Sequence, residues 1–174
     1  MIKIITLFDQ IQAGLGTKDD KMVPLGGSKE LLGPAVMLAP MLKEIDGKIL
    51  ACLYCGNGTF MNDQEEISRK ICVKINQLNP DIVICGPSFN YEEYSLMCAK
   101  IANDINNKTN SKAFAAMSKE NEQVIKDYKN KIIITETPKK GGVGLNDCLR
   151  NIVKIVEKLY KSENLDSIKS EFVF

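Results

Sequence analysis

Five short segments of the chain carry side chains suited to binding a small polar molecule, and each follows an apolar run of strand length. The clearest is residues 86–91, which begin with Gly86 and Pro87 directly after the apolar run 81–85. A buried strand that breaks at once into such residues predicts a shaped loop. Amide, hydroxyl and backbone N–H groups suit recognition of an amino acid carboxylate, although loops are ordinarily polar. The other segments are residues 9–12, 56–60, 118–121 and 136–144.

Six cysteines offer the thiols that nucleophilic or redox chemistry would need. Cys52 and Cys55 have C-x-x-C spacing, but both fall in a predicted strand, where residues three apart point to opposite faces. A disulfide or redox pair is therefore not expected there. Cys55 ends its strand beside Gly56 and is a candidate exposed thiol, and Cys85 has the same place on the next strand. The remaining thiols fall in helical patterns and are expected in the core: Cys72, Cys98 and Cys148.

The chain contains no histidine, and this excludes several kinds of active site. Neither a Ser-His pair nor a Cys-His pair nor a histidine metal ligand is possible. General acid–base chemistry would depend on Asp, Glu, Lys, Tyr or Cys. A four-cysteine zinc site would need a second closely spaced pair, which is absent. Neither a Walker A sequence nor a G-x-G-x-x-G follows the first strand, so we expect no metal and no cofactor.

Composition is typical of a globular cytoplasmic protein. The 174 residues suffice for a full core, and 23 basic against 22 acidic residues argue against nucleic-acid binding. No apolar run has the length of a membrane span, and the first residues lack a signal-peptide layout. Scattered cysteines suit a reducing compartment. We therefore expect a cytoplasmic location and no contact with membranes.

Short apolar runs alternate with helical patterns along the chain. The runs do not alternate with polar residues, as in strands buried on both faces, and they are residues 2–8, 49–55, 81–85, 112–117 and 131–135. Helical spacing is clearest from Leu145 to Leu159. This order predicts an α/β fold, a three-layer, doubly wound, mainly parallel sheet of about five strands, Rossmann- or flavodoxin-like. The carboxyl ends of such strands meet at one edge, where the five polar segments would gather.

Two regions depart from this regular pattern. Residues 9–33 form a long glycine-bearing loop, which is either a functional lid or a surface excursion. Residues 139–144 open the last helix with two lysines and three glycines, which suits either an anion site or a flexible turn. We expect a single domain over residues 1–161 and then a tail, residues 162–174, that forms an extra strand or an interaction arm.

Several of these stretches occur together in one known family. The most specific are Cys55-Gly56-Asn57 and the Gly-Pro-Ser-Phe-Asn sequence at residues 86–90. Weaker matches, in chain order, are Asp9-Gln10, Gly33-Pro34, Asn79-Pro80-Asp81, Tyr94, Cys98, Met117 and Glu120-Asn121. In this order and spacing the chain resembles the amino-terminal domain of selenoprotein B of the glycine, sarcosine and betaine reductases, and D-proline reductase more distantly.

The resemblance implies reductive cleavage of a small amino acid or its N-methyl derivative, in an anaerobe, within a complex that contains a protein partner. The family uses a selenocysteine, which these residues do not contain, and a thiol is a weaker nucleophile for this chemistry. Cys55 is the candidate catalytic residue if this chain performs chemistry. With the fold, the resemblance implies a substrate pocket formed by Asp9, Gln10, Gly56, Asn57, Gly86, Pro87, Phe89, Asn90 and Tyr91, with Glu120 and Asn121 at its rim.

Two further interpretations are open at this point. One is a non-catalytic subunit that binds a small ligand, or that uses the tail and the long loop to bind a protein partner or a second copy. The other is a flavodoxin-like nucleotide or flavin binder that uses the turn at residues 142–144, although no phosphate loop follows the first strand.

Overall fold

A single six-stranded sheet forms the centre of the molecule in the computed structural model, which describes residues 1–174. The strands are β1 (Ile2–Phe8), β2 (Gly26–Ser28), β3 (Gly47–Tyr54), β4 (Ile82–Cys85), β5 (Lys112–Met117) and β6 (Ile134–Glu136). Their order across the sheet is β2-β3-β1-β4-β5-β6, and every neighbouring pair is parallel except β2 and β3. The predicted α/β class with a mainly parallel sheet is therefore confirmed.

Helices cover both faces of the sheet, as a doubly wound fold requires. One face packs against α1 (Ala35–Lys43), α6 (Leu145–Lys161) and α7 (Asp166–Lys169). The other packs against α2 (Asn57–Asn62), α3 (Gln64–Leu78), α4 (Glu92–Lys108) and α5 (Glu122–Tyr128). Each face thus has its own apolar core. None of the helices combines the length and the apolar character needed to span a bilayer.

The central strands β1 and β4 are buried on both faces. Ile5 and Leu7 of β1 point into the core beneath α3 and α4, whereas Ile4 and Phe8 point into the core beneath α1 and α6. All four side chains have no exposed surface, and every residue of β4 is buried. Burial on both faces explains why these stretches are apolar throughout instead of alternating.

The order of the strands reverses between β1 and β4. Without the antiparallel β2, the parallel strands run second, first, third, fourth and fifth across the sheet, which is the flavodoxin-like order. The chain therefore winds in opposite directions on the two sides of the β1–β4 pair. In open α/β sheets, ligands bind outside the carboxyl ends of the strands at this reversal. The fold therefore predicts a ligand site at the loops that follow β1 and β4.

The sheet differs from the prediction at both edges. Residues 26–28 of the predicted long loop form the extra strand β2, because they pair antiparallel with residues 52–54 of β3. The last strand begins three residues later than predicted. The N–H groups of Lys131 and Ile132 bond to Tyr128 O at 2.8 and 3.0 Å, which continues the end of α5 instead of the sheet.

The tail packs back onto the sheet edge beside β6. Val173 forms an antiparallel bridge with Thr135, and Phe174 N donates to Ile134 O at 3.0 Å. Ile168 of α7 and Phe172 are buried in the core beneath α6. Residues 172–174 therefore extend the sheet by one short antiparallel contact.

A buried ion cluster joins α3 to α4. Asp104 is only 7% exposed, accepts a hydrogen bond from Ser68 Oγ at 2.5 Å and lies 3.2 Å from Lys100 Nζ and 3.4 Å from Lys108 Nζ. Burial raises the pKa of this carboxyl, but the bonds from Ser68 and Lys100 and the charge of Lys108 outweigh burial and leave the pKa below its usual value. Ionised Asp104 adds polar contacts between the two helices to the apolar ones in the core that they share.

We expect Asp104→Asn to lower the free energy of unfolding at neutral pH by about 2 kcal/mol, because the variant loses charge-assisted bonds within a buried site. Since the folded-state pKa lies below the unfolded one, the contribution of Asp104 is complete above the unfolded value and is lost as pH falls through the folded value. Urea unfolding at several pH values measures both effects.

The exposed Asp147 provides the matched control as Asp147→Asn. A loss of stability in Asp104→Asn that matches the control, or one that does not diminish as pH falls below the unfolded-state pKa, would contradict a role for the ionised cluster.

Candidate functional site

A cavity of about 400 Å³ opens at the strand reversal, between the loop after β1 and the start of α4. Its lining carries charges of both signs and one buried amide: Ile11, Lys18, Asp19, Lys21, Asn57, Tyr91, Glu92 and Glu93. Tyr94 fixes the start of α4 at this place, because its buried hydroxyl donates to Leu7 O at the end of β1 at 3.0 Å. We call this cavity the crevice.

A buried hydrogen-bond network joins the ends of β1 and β3 beneath the crevice. Asp9 Oδ1 accepts from Gln12 N at 2.7 Å, and Asp9 Oδ2 accepts from Asn57 Nδ2 at 3.2 Å. Gln10 Oε1 accepts from Asn57 N at 3.0 Å. Asp9 and Gln10 have no exposed surface. The network therefore fixes the orientation of Asn57, with its amide nitrogen turned toward Asp9.

Burial raises the pKa of Asp9, although the bonds from Gln12 N–H and the Asn57 amide oppose the rise. A carboxyl whose pKa is raised on folding is more easily protonated in the folded than in the unfolded chain. Ionised Asp9 therefore lowers stability by an amount that the hydrogen bonds partly offset. A costly buried charge at a strand reversal is typical of a functional position.

Two polar atoms of this network lack a hydrogen-bond partner. They are Asn57 Oδ1 and Gln12 Nε2, both buried, and each residue is 7% exposed. Buried polar atoms are nearly always paired in folded proteins, so an unpaired one calls for an explanation such as a bound molecule. Asn57 also lines the crevice, which makes its side chain a candidate contact for a ligand there.

The long first loop folds over the start of α2. Gly56 N donates to Val23 O at 2.9 Å, and Gly58 N donates to Lys21 O at 2.8 Å. These carbonyls occupy the N–H groups that would otherwise attract an anion. The loop also reaches the far side of the crevice, where Lys21 Nζ lies 3.7 Å from Glu93 Oε2. Sequence reasoning named the loop but not its lysines, because their position depends on this tertiary contact.

Loop 86–91 is held in shape by β5 and the loop beyond it. Gly86 has φ +114°, and a Cβ there would lie 2.7 Å from Ala116 O. Phe89 has φ +52°, is 4% exposed, and its carbonyl accepts from Ser118 N at 2.9 Å and from Asn121 Nδ2 at 2.7 Å. Gly86, Pro87 and Phe89 are thus buried and shape the loop, whereas Tyr91 lines the crevice.

The predicted residues divide between two cavities, which share Glu92 in their linings. Asn57 and Tyr91 line the crevice, with Asp9 and Gln10 bonded to Asn57 and Gly56 held under the first loop. Asn90, Glu120 and Asn121 line a second cavity of about 240 Å³. There Asn90 Oδ1 accepts from Lys140 N at 2.9 Å. The Ser118 hydroxyl, the Glu120 backbone and nearby Lys139 hold the pKa of Glu120 below its usual value.

Cys55 is buried in the core beneath α3 and α4. Burial raises the pKa of its thiol to about 12, and the thiol donates to Gly56 O at 3.5 Å. Such a thiol is protonated at neutral pH and is a poor nucleophile. All six cysteines are free and buried, so Cys52 and Cys55 form no disulfide. The burial of Cys55 weighs against a nucleophilic role in this state of the protein.

The fold and the crevice define a doubly wound α/β protein with a polar cavity at the strand reversal. A family model described as glycine/sarcosine/betaine reductase selenoprotein B matches residues 1–174. The chain therefore belongs to that family, which confirms the resemblance found in its sequence.

Relatives with established names are subunits of reductase complexes. The chain is 25% identical to sarcosine reductase complex component B subunit beta of Peptoclostridium acidaminophilum, over 93% of this chain and 36% of the relative. It is 26% identical to glycine reductase complex component B subunit gamma of Carboxydothermus hydrogenoformans, over 80% of this chain and 32% of the relative. The chain thus spans about a third of their length. No solved structure matches it significantly.

We expect Gly56→Ala to release the first loop, because the new Cβ would collide with Lys21 O and lie 2.7 Å from Val23 N. The strain should cost about 1–3 kcal/mol of stability. Trypsin should then cleave native protein faster after Lys18 and Lys21. The control is Gly27→Ala, whose Cβ meets the movable Leu53 Cδ2 at 3.1 Å. Equal cleavage rates in the two variants would show that the loop does not depend on this contact.

We expect Cys55 in native protein to react with iodoacetamide no faster than Cys72 or Cys148, because burial raises the pKa of all three thiols. Peptide mass spectrometry after timed alkylation measures the three rates, and labelling in urea supplies the unprotected rates. Selective labelling of Cys55 in the native state would instead support its role as a nucleophile.

Proposed function

We propose that this chain is a component-B-type module of an amino acid reductase complex and that it binds a small amino-acid-like ligand in the crevice. The unpartnered Oδ1 of Asn57, fixed by Asp9 at the crevice wall, carries this proposal. Family membership and the named relatives support the reductase setting.

The charges of the crevice are complementary to a zwitterion. Lys18 and Lys21 offer positive charge for a carboxylate, as do the free N–H groups expected at the start of α4, which has no side-chain cap. Asn57 Oδ1 accepts a hydrogen bond from an ammonium group, and Glu92 supplies a carboxylate beside it in the lining. A free amino acid carries both the carboxylate and the ammonium group that this lining would bind.

The role proposed for the chain is to bind and orient the ligand while a partner supplies the nucleophile. The relatives are named as components of complexes, which supports a protein partner. The burial of all six thiols supports a nucleophile from elsewhere. If the chain itself performs chemistry, Cys55 is our candidate, and the first loop must open to expose it.

A flavin or nucleotide phosphate is disfavoured at the same place. The position after β1, where flavodoxin-like proteins bind phosphate, holds the buried carboxyl of Asp9. The start of α2 is already occupied by the carbonyls of Lys21 and Val23.

Titration calorimetry with glycine, sarcosine, proline and betaine tests the proposal. We expect glycine, sarcosine and proline to bind more tightly than betaine, which has no N–H to donate to Asn57 Oδ1. Removing both cations in Lys18→Gln/Lys21→Gln should weaken glycine binding about tenfold or more, which corresponds to about 1.4 kcal/mol.

Lys126→Gln on α5 is the matched control, because Lys126 is exposed and lies outside the crevice lining. No binding of any of the four compounds would overturn the ligand proposal. Equal binding by the double variant and the control would place the ligand elsewhere.

A further inference from the structure

A groove of about 490 Å³ lies at the edge of the sheet formed by β2 and β3, beside α3. Half of its lining is apolar: Leu25, Leu50, Ala51, Leu53, Ile71 and Leu78. Leu53 and Ile71 are buried members of the core beneath α3 and α4, so the groove floor is continuous with that core. The groove shares no lining residue with the crevice, and nothing in the proposed ligand binding uses it.

The backbone of β3 is open beside this groove. β1 pairs with β3 from Gly47 to Tyr54, with a shift of register at Leu50, but β2 covers the opposite side only at residues 52–54. Residues 47–51 therefore have no strand neighbour on the outer side. Leu50 and Ala51 of this open segment also line the groove. An open strand edge beside an apolar groove is the arrangement that binds an extended peptide as an added strand.

Only basic side chains provide charge in the groove lining. They are Lys29, Lys70 and Lys74, and Lys48 is exposed on the open segment itself. Lys70 lies 3.8 Å from Glu66, whereas Lys29 and Lys74 form no salt bridge. The groove thus combines apolar surface, unpaired cations and free backbone groups.

We propose that this groove binds an extended segment of a partner polypeptide that carries both apolar residues and carboxylates. The segment pairs with residues 47–51 of β3 and extends the sheet. Every second side chain of the segment points into the groove, where apolar ones contact Leu50 and Leu53 and carboxylates reach Lys29 or Lys74. The partner surface is independent of the ligand in the crevice.

The lysines favour such a partner over a second copy of this chain. Pairing two β3 edges would bring Lys48 and its neighbouring cations from both copies together, and like charges across a strand pair are destabilising. Lysine on an open edge commonly prevents self-association in this way. An acidic segment turns the same charges into attractive contacts.

Fluorescence anisotropy with two labelled peptides of about ten residues tests the proposal. In the first, valine and glutamate take turns at every second position with threonine between them (Val-Thr-Glu-Thr), and in the second lysine replaces glutamate. We expect the glutamate peptide, but not the lysine peptide, to bind saturably. Added salt should weaken this binding. Lys29→Glu/Lys74→Glu should weaken it about tenfold or more. Hydrogen exchange should show new protection of the amides of residues 47–51 when the glutamate peptide is bound.

The matched control is Lys126→Glu/Lys129→Glu, which reverses two exposed charges near the end of α5. The proposal is overturned by no binding of the glutamate peptide up to about 1 mM, by equal binding of the lysine peptide, or by binding without protection of residues 47–51. Dimers that protect these residues in the free protein would assign the edge to a second copy. Glycine binding in the crevice should be unchanged in Lys29→Glu/Lys74→Glu, so the two proposals fail or succeed separately.

Discussion

The carboxyl of Asp9 is the group on which the ligand edge of the sheet depends. It lies at the end of β1, in the middle of the sheet, and bonds both to the loop that follows β1 and to Asn57 at the start of α2. Removing a carboxylate from water costs free energy, and the raised pKa of Asp9 reflects that cost. The hydrogen bonds that offset it also orient Asn57. The position of the ligand acceptor thus follows from the need to stabilise a buried charge.

The backbone N–H groups at the two helix starts beside this network have different surroundings. The start of α2 is occupied by carbonyls of the first loop, whereas the start of α4 has no side-chain cap and borders the crevice. Tyr94 holds α4 against β1 through its bond to Leu7 O. The first loop therefore closes one anion-attracting position and supplies Lys18 and Lys21 to the other. The proposed ligand would therefore meet free N–H groups at the start of α4 and not at the start of α2.

The crevice and the open edge of β3 lie at different parts of one sheet. Loops after the central strands β1 and β4 form the crevice, where both faces are covered by helices. β2 is only three residues long, so most of β3 is left open beside an apolar groove. Relatives of this chain are named as subunits of complexes, and the partner contact proposed at this edge would leave the crevice open. Binding and assembly can then be tested independently.

The sequence by itself determined the fold class, the positions of most strands, the family and the loops at the ligand edge. Strands buried on both faces appear in the sequence as uninterrupted apolar runs. The loops after them are recognisable from their glycine and amide residues. It predicted that Asn57 and Tyr91 lie at the same edge of the sheet, through loops that parallel strands bring together, and both residues line the crevice. Only the tertiary structure decided that Asn90, Glu120 and Asn121 face a second cavity, that Cys55 is buried, and that Lys18 and Lys21 reach the crevice. Those outcomes depend on how loops pack against one another, and such contacts leave no local pattern in the sequence.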